Sequence, residues 1–180
     1  MKLILILLIF FSTLFAGLDS DTKKIHKMYK ANNFKKACKF GTNKINKYRK
    51  NETFISLYAF SCLKDDQIDK LASAAAFLKQ SPEARSNSVF FSTILLQKKL
   101  LLHVMLDGFI MTPLKLPSTN HILSKVFDSF MRENTDKIKE EYTFVDAKNS
   151  NETYKLFTKD KKVIIEHYLN NNLLKTHKYW

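Results

Sequence analysis

The chain is 180 residues long, with 30 basic and 17 acidic side chains and a formal charge of +13 at pH 7. Its three glycines and three prolines exclude glycine-rich phosphate cradles, and neither the P-loop nor the dinucleotide spacing occurs. Only three of the basic residues are Arg (Arg49, Arg85, Arg132), which weighs against planar, bidentate recognition of bases or phosphates. Lys, Asn, Ile and Phe are abundant together, a bias that an AT-rich coding sequence produces by itself.

Met1–Gly17 has the grammar of a secretory signal peptide. Lys2 is a charged n-region, Leu3–Phe11 an unbroken apolar core, and Ser12–Gly17 a stretch that turns to small residues. Cleavage is expected after Ala16 or Gly17, and with no Cys at the junction a lipid anchor is not expected. A membrane anchor is the alternative, but Leu3–Leu18 falls short of the roughly 20 apolar residues that span a bilayer. The expectation is an exported protein, periplasmic or extracellular. In such a compartment Cys38 and Cys62 can form a disulfide, although two buried free thiols would leave the same sequence.

Most of the mature chain has helical periodicity. Asp21–Ala31 aligns Ile25, Met28 and Tyr29. Phe34–Lys50 places Phe34, Ala37, Cys38, Gly41, Ile45 and Tyr48 at alternating steps of three and four, one face of an α-helix. Thr53–Leu63 aligns Phe54, Leu57, Tyr58 and Cys62, and Asp66 is placed to cap Gln67–Leu78, with Ile68, Leu71, Ala72 and Ala75 inward. These make two successive helical hairpins. The segment Tyr29-Lys30-Ala31-Asn32-Asn33-Phe34-Lys35-Lys36-Ala37 resembles the inter-helix corner of a tetratricopeptide repeat. In that family the Ala lets two helices approach and an aromatic fills the wedge between them. A shift by the family's repeat length of 34 residues takes Tyr29 to Leu63, Phe34 to Ile68 and Ala37 to Leu71. The same shift takes Asn32-Asn33 to Asp66-Gln67, so the resemblance covers two degenerate copies, about residues 25–78. It implies a stack of helical hairpins that binds a protein or peptide.

Cys38 and Cys62 each lie twelve residues from a bend near Lys50, so both thiols stand about 18 Å from it at the same height on antiparallel helices. Both also lie on apolar stripes, where they can face one another. Beyond the hairpins, Ser81-Pro82-Glu83 is a helix start, and the helix is expected to reach Asp107 with Gly108 as its stop. Its face is Phe90, Phe91, Ile94, Leu95, Leu101, Leu102, Met105 and Leu106, while Gln97-Lys98-Lys99 should find solvent. Those lysines and His103 argue against a membrane hairpin. Thr112–Thr119 is a loop, and Asn120–Asn134 a helix with Ile122, Leu123, Val126, Phe127, Phe130 and Met131 inward.

Past Asp136 the composition changes: Tyr142–Asp146, Thr153–Thr158, Val163–Leu169 and Leu173–Trp180 are short segments rich in Val, Ile, Thr and aromatics, separated by turn-forming segments, and read as strands. Four short strands cannot close a membrane barrel. The expected organisation is a signal peptide over 1–17, a repeat-like helical domain over 18–135, and a β-meander over 136–180 packed on the helices. The fold class is mostly α with a small C-terminal antiparallel meander.

No catalytic motif is present: no Gly-x-Ser-x-Gly, His-Glu-x-x-His or Cys-x-x-Cys. The carboxylate pairs Asp65-Asp66 and Glu140-Glu141 sit at turns, where capping and solvation explain them. Of five histidines only His167 and His177 could meet, through a three-residue Asn170–Asn172 loop that pairs His167 with Lys175. No catalytic residue, metal ligand or cofactor is assigned. One charge feature stands out: Lys23, Lys24, Lys27, Lys30, Lys35, Lys36, Lys39, Lys44, Lys47, Arg49 and Lys50 are eleven cations in a stretch without an acid. The expected function is a non-enzymatic, exported interaction module that holds an envelope protein or peptide. The alternative is binding of an anionic envelope surface, lipid headgroups or acidic wall polymer, through this basic hairpin. Nucleic acid is not an expected partner.

Overall fold

The computed structural model describes residues 19–112, 114–133 and 138–180, so the expected signal segment Met1–Gly17 lies outside the described residues. The protein is mostly α, with a four-stranded antiparallel sheet at its C-terminal end. Contacts divide it into two units, one up to Arg85 and one from Ser86 on, with the division inside the longest helix.

In the first unit, α1 (Ser20–Lys30) starts at Asp19, whose carboxylate accepts the Asp21 and Thr22 amides, both at 3.0 Å. Asn32 takes a left-handed backbone (φ 55°) and turns the chain into α2 (Phe34–Lys44). Asn51 caps α3 (Glu52–Lys64), accepting the Phe54 amide at 3.0 Å. Asp66 is again left-handed (φ 57°) and is followed by a 3-10 turn, Ile68–Lys70, and α4 (Leu71–Phe77). The two turns share one hydrogen-bond pattern. After α1, Asn33 N donates to Met28 O (2.9 Å) and Asn32 N to Tyr29 O (3.0 Å). After α3, Gln67 N donates to Cys62 O (2.8 Å) and Asp66 N to Leu63 O (3.2 Å). Both are Schellman closures, in which a left-handed residue lets the last carbonyls be satisfied, and they lie 34 residues apart. The core between them includes Ile25, Ala37, Phe54, Ile55, Tyr58 and Leu71.

Three local expectations are corrected here. The second helix ends at Lys44 rather than Lys50, because the carbonyls of Lys44 and Ile45 accept from three residues on (Lys47 N 2.9 Å, Tyr48 N 3.1 Å). That tightening half-buries Tyr48 and stacks its ring on Phe54, 4.3 Å between centroids. Asp66 does not cap the next helix: it terminates α3, and the N-terminal position of the 3-10 turn is Gln67, which makes no side-chain cap. In α4, Ala74 is buried and Ala72 exposed, the reverse of the expected stripe. The 3-10 turn advances three residues per turn instead of 3.6, so the inward set steps Ile68, Leu71, Ala74.

Helix α5 (Pro82–Asp107) begins with Ser81 Oγ accepting the Ala84 amide at 3.1 Å and ends at Gly108, left-handed at φ 69°. Phe91, Ile94, Leu101 and Met105 are buried as expected, while Leu106 is exposed. Gln97 and Lys98, expected in solvent, are buried at 0% and 3% exposure. Each has a partner that no local pattern announces: Gln97 donates to Ser124 Oγ (3.1 Å) and Lys98 to the Trp180 main-chain oxygen (2.7 Å). Helix α6 (Ile122–Glu133) turns Leu123, Val126, Phe127 and Phe130 inward.

Strands β1 (Glu141–Val145), β2 (Glu152–Lys159), β3 (Lys162–Leu169) and β4 (Asn172–Tyr179) pair in chain order. Both later hairpins turn on two left-handed residues, Asp160-Lys161 and Asn170-Asn171, the geometry that matches strand twist. His167 does pair with Lys175, but by a different route from the expected three-residue loop. The loop has two residues, and an irregularity between His167 and Tyr168 restores the register. Alternation buries Tyr142, Phe144, Tyr154 and Leu156 on one face, and Phe130 of α6 meets Tyr142 edge-on at 5.0 Å.

Candidate functional site

The basic residues all fall on the first hairpin and the turn after it. Lys23, Lys24, Lys27 and Lys30 are on α1, Lys35, Lys36, Lys39 and Lys44 on α2, and Lys47, Arg49 and Lys50 in the turn. All are exposed except half-buried Lys44, because the opposite stripes (Ile25 on α1; Ala37, Cys38 and Gly41 on α2) are buried. The fold partly neutralises this surface. Asp21, just upstream of the acid-free stretch, accepts from Lys44 at 2.8 Å and lies 3.6 Å from Lys47. Tyr48 donates to the same oxygen at 2.8 Å. The Lys44 and Tyr48 hydrogen bonds hold the Asp21 carboxyl below its ordinary range. Burial and then the Asp21 bond push the Tyr48 hydroxyl up. At Asp19 burial works upward, but the Thr22 hydroxyl and amide outweigh it and leave the carboxyl at about 2.

Other cations rest on aromatic faces. Lys24 and Lys44 stand 5.0 and 5.4 Å from the Phe40 centroid, Lys47 is 5.0 Å from Tyr48, and Arg49 is 5.4 Å from Phe77. Lys23, Lys27, Lys30, Lys35, Lys36, Lys39 and Lys50 have no charged or hydrogen-bonded partner among the described residues. Sequence reasoning located the surface but not its division into anchored and unpaired cations, since Asp21 reaches Lys44 only through the hairpin.

Behind this surface the hairpins are locked together. Cys38 and Cys62 form a disulfide with Cα atoms 4.7 Å apart, as their positions on facing stripes allow. One turn along the same seam, a Cβ added to Gly41 would stand 2.9 Å from Tyr58 Cβ, so only glycine admits this approach. Tyr29 meets Phe34 edge-on at 5.4 Å across the first corner. Ala37, Leu63, Ile68 and Leu71 are buried, whereas Phe34 is only half-buried. The intramolecular disulfide fits an oxidising compartment.

The second unit holds a polar cluster that no motif announced. Lys125 on α6 lies 2.9 Å from Asp146 and 3.3 Å from Glu152, and donates to Tyr154 Oη at 3.0 Å. Tyr154 in turn donates to Glu152 (2.7 Å) and lies 2.8 Å from Asp146 Oδ2. His167 Nε2 stands 3.3 Å from Glu152 Oε2, and its ring is 5.1 Å from that of Tyr154. Burial opposes ionisation of Asp146, but Lys125, the Lys148 amide and Tyr154 outweigh it and hold the carboxyl far below its ordinary range. The Tyr154 bond is the main reason that Glu152 falls to about 2. Burial, then Glu152 and Asp146, push Tyr154 up, and the two carboxylates raise Lys125 against burial. Lys125 thus stays an ammonium and both acids stay carboxylates near neutrality, which suits anchoring rather than proton transfer or nucleophilic attack. The only signal in sequence was Glu152 and Tyr154 two apart on one strand face; Lys125 arrives from another element.

Among the described residues no group of three or more His, Cys, Asp and Glu is placed to hold a metal ion. No protein-family model matches the chain, no curated protein is similar to it, and no solved structure matches its fold.

Proposed function

We propose that this protein is an exported, non-enzymatic interaction module whose tetratricopeptide-like hairpins hold a protein partner in the cell envelope. The observation that carries this reading is the recurrence of one helix-ending geometry, Asn32 and Asp66 at the same left-handed position, at the repeat length of that family. The disulfide and the Gly41–Tyr58 contact support it by making the hairpin pair a rigid platform, so little conformational entropy is lost when a partner docks. A photo-crosslinker at exposed Lys23 on α1 or Thr53 on α3 tests it in the native envelope. One recurrent protein adduct that persists at moderate salt is the expected result, and the absence of any recurrent adduct sinks the reading. Export is tested separately: mass spectrometry should find a mature start at Gly17 or Leu18, and intact Met1 in a membrane fraction overturns it.

The seven unpaired lysines favour a second reading, attachment to anionic lipid headgroups or acidic wall polymer. Lys27, Lys35, Lys36 and Lys39 changed together to Glu should leave folding nearly intact, because exposed unpaired charges contribute little. Binding to anionic vesicles should vanish in that variant, and in the unaltered protein it should fade with salt over a Debye length of about 8 Å. Vesicle binding unchanged by the four substitutions rejects the second reading and leaves the first standing.

A further inference from the structure

We infer that the second unit carries a binding site for a small solute with a carboxylate or phosphate head, independent of the partner surface proposed above. One face of α6 presents Lys125, Asp128, Ser129 and Arg132, at the i, i+3, i+4 and i+7 positions of a helix. The loop Ser118–Asn120 forms a second wall and the β1–β2 turn Asp146–Lys148 a third, around a cavity of about 170 Å³. A cavity of roughly 150 Å³ admits a molecule the size of benzene, so this one takes a head group with a few attached atoms.

The charges inside divide into spent and available. Asp146 is saturated: Oδ1 accepts the Lys148 and Asn149 amides at 2.8 and 3.0 Å, and Oδ2 meets Tyr154 and Lys125 at 2.8 and 2.9 Å. Lys125 is spent on Asp146, Glu152 and Tyr154. Asp128 already accepts the Ser118 hydroxyl at 2.5 Å. On the other side, the Arg132 guanidinium makes one bond, to Ser129 Oγ at 2.8 Å, and its other donors are unpaired among the described residues. The Lys148 ammonium and the Asn120 amide have no partner among the described residues either. The open valences are therefore chiefly donors, two of them cationic; Asp146 is neutralised by Lys125, and the Asp128 carboxylate, held by the Ser118 hydroxyl, is the one charge on the lining that opposes an anion. Arg132 can meet two oxygens of one oxyanion in its planar fork, while Lys148 contributes a point charge from the opposite wall. Lys125 and Asp146 hold that wall against α6 and act as positioning residues.

The test is titration of the full chain with inorganic phosphate and, separately, with malonate, followed by amide chemical shifts of residues 118–132 and 146–149. Both arms report one site, and the tighter probe identifies the head group. Arg132→Ala and Lys148→Ala should each weaken binding about tenfold to a hundredfold, as the loss of a hydrogen bond to a charged partner does. Arg132→Lys, which keeps the charge but not the fork, should weaken it by less than Arg132→Ala. Lys159→Ala removes the same charge from an exposed strand end outside the cavity and should leave binding unchanged. Shifts scattered over the lysine surface, equal losses in Lys159→Ala, or no saturable shift with either probe overturn the proposal. Failure here leaves the partner reading untouched, because that reading is tested by crosslinks from Lys23 and Thr53, both in the first unit.

Discussion

Each unit contains a tyrosine hydroxyl that shares a carboxylate with a lysine: Tyr48 shares Asp21 with Lys44 in the first, and Tyr154 shares Asp146 and Glu152 with Lys125, which also bonds it directly, in the second. The two differ in what else holds them. In the first, a covalent bond joins α2 and α3 at a glycine-permitted seam, and the polar cluster stands at the exposed end of the hairpin. In the second there is no cysteine, so the hold of α6 on the β1–β2 hairpin rests on side-chain packing and on the ionic cluster itself. Similar side chains thus decorate one fold and brace the other. Sensitivity to reductant should be confined to the first unit, and dependence on a lysine–carboxylate network to the second.

The largest expected effect breaks the first half of that comparison. Replacement of both Cys38 and Cys62 by Ser, or reduction, should cost about 3.5 kcal/mol for a loop of 24 residues in the chain-entropy account. Hydrogen exchange should quicken in α1–α3 while the amides of β2 and β3 keep their protection. Equal loss of protection in the sheet would show that the units unfold as one and refute the distinction drawn here.

Lys125→Met tests the second half. It leaves Asp146 and Glu152 with hydrogen bonds but no cation and should cost about 2–3 kcal/mol, somewhat less than a fully buried pair because Lys125 retains some solvent. Both acids are depressed when folded, so their contribution is complete above about pH 4.5 and drains away as pH falls towards 2. An acid melt should therefore be shallower in Lys125→Met than in the unaltered chain. Parallel curves would remove the network from the stability of this unit.

Gly41→Ala sharpens the account of the seam. The new methyl must displace Tyr58, and overpacking of this kind costs about 1–3 kcal/mol, so thermal denaturation of the disulfide-bonded protein should show a lowered midpoint. An unchanged midpoint would mean that the seam yields freely. The smallest effect lies at the first corner, where Asn32→Ala should cost about 1 kcal/mol and Asn32→Gly nothing, because only the former puts an intolerant side chain in a left-handed conformation.

Local pattern made much of the architecture legible. The stripes through Ala37 and Cys38 and through Tyr58 and Cys62 placed two helices face to face, and a disulfide is found where those stripes meet. The four strands were readable from their Val, Ile, Thr and aromatic content between turn-forming segments, and Asp160, Asn170 and Asn171 are residue types that tolerate the positive φ of the corners, whereas Lys161 is not. The 34-residue recurrence was visible as an apolar set before it was visible as a pair of matching helix ends. All of these depend on neighbours within a turn or two of the chain.

What local pattern missed depends on distant partners. Lys98 reads as a solvent residue by type, and its burial follows from a carbonyl 82 positions away. The cation at Lys125 meets its carboxylates across α6 and the β1–β2 hairpin, and the seemingly acid-free lysine run acquires Asp21 only once α1 folds against α2. Helix phase and turn type are short-range consequences of backbone sterics and apolar spacing, so the sequence alone determined them for this protein. Which charges are spent and which remain open was decided by the tertiary structure, because ion pairing is a property of distance in space, and chain separation does not encode it.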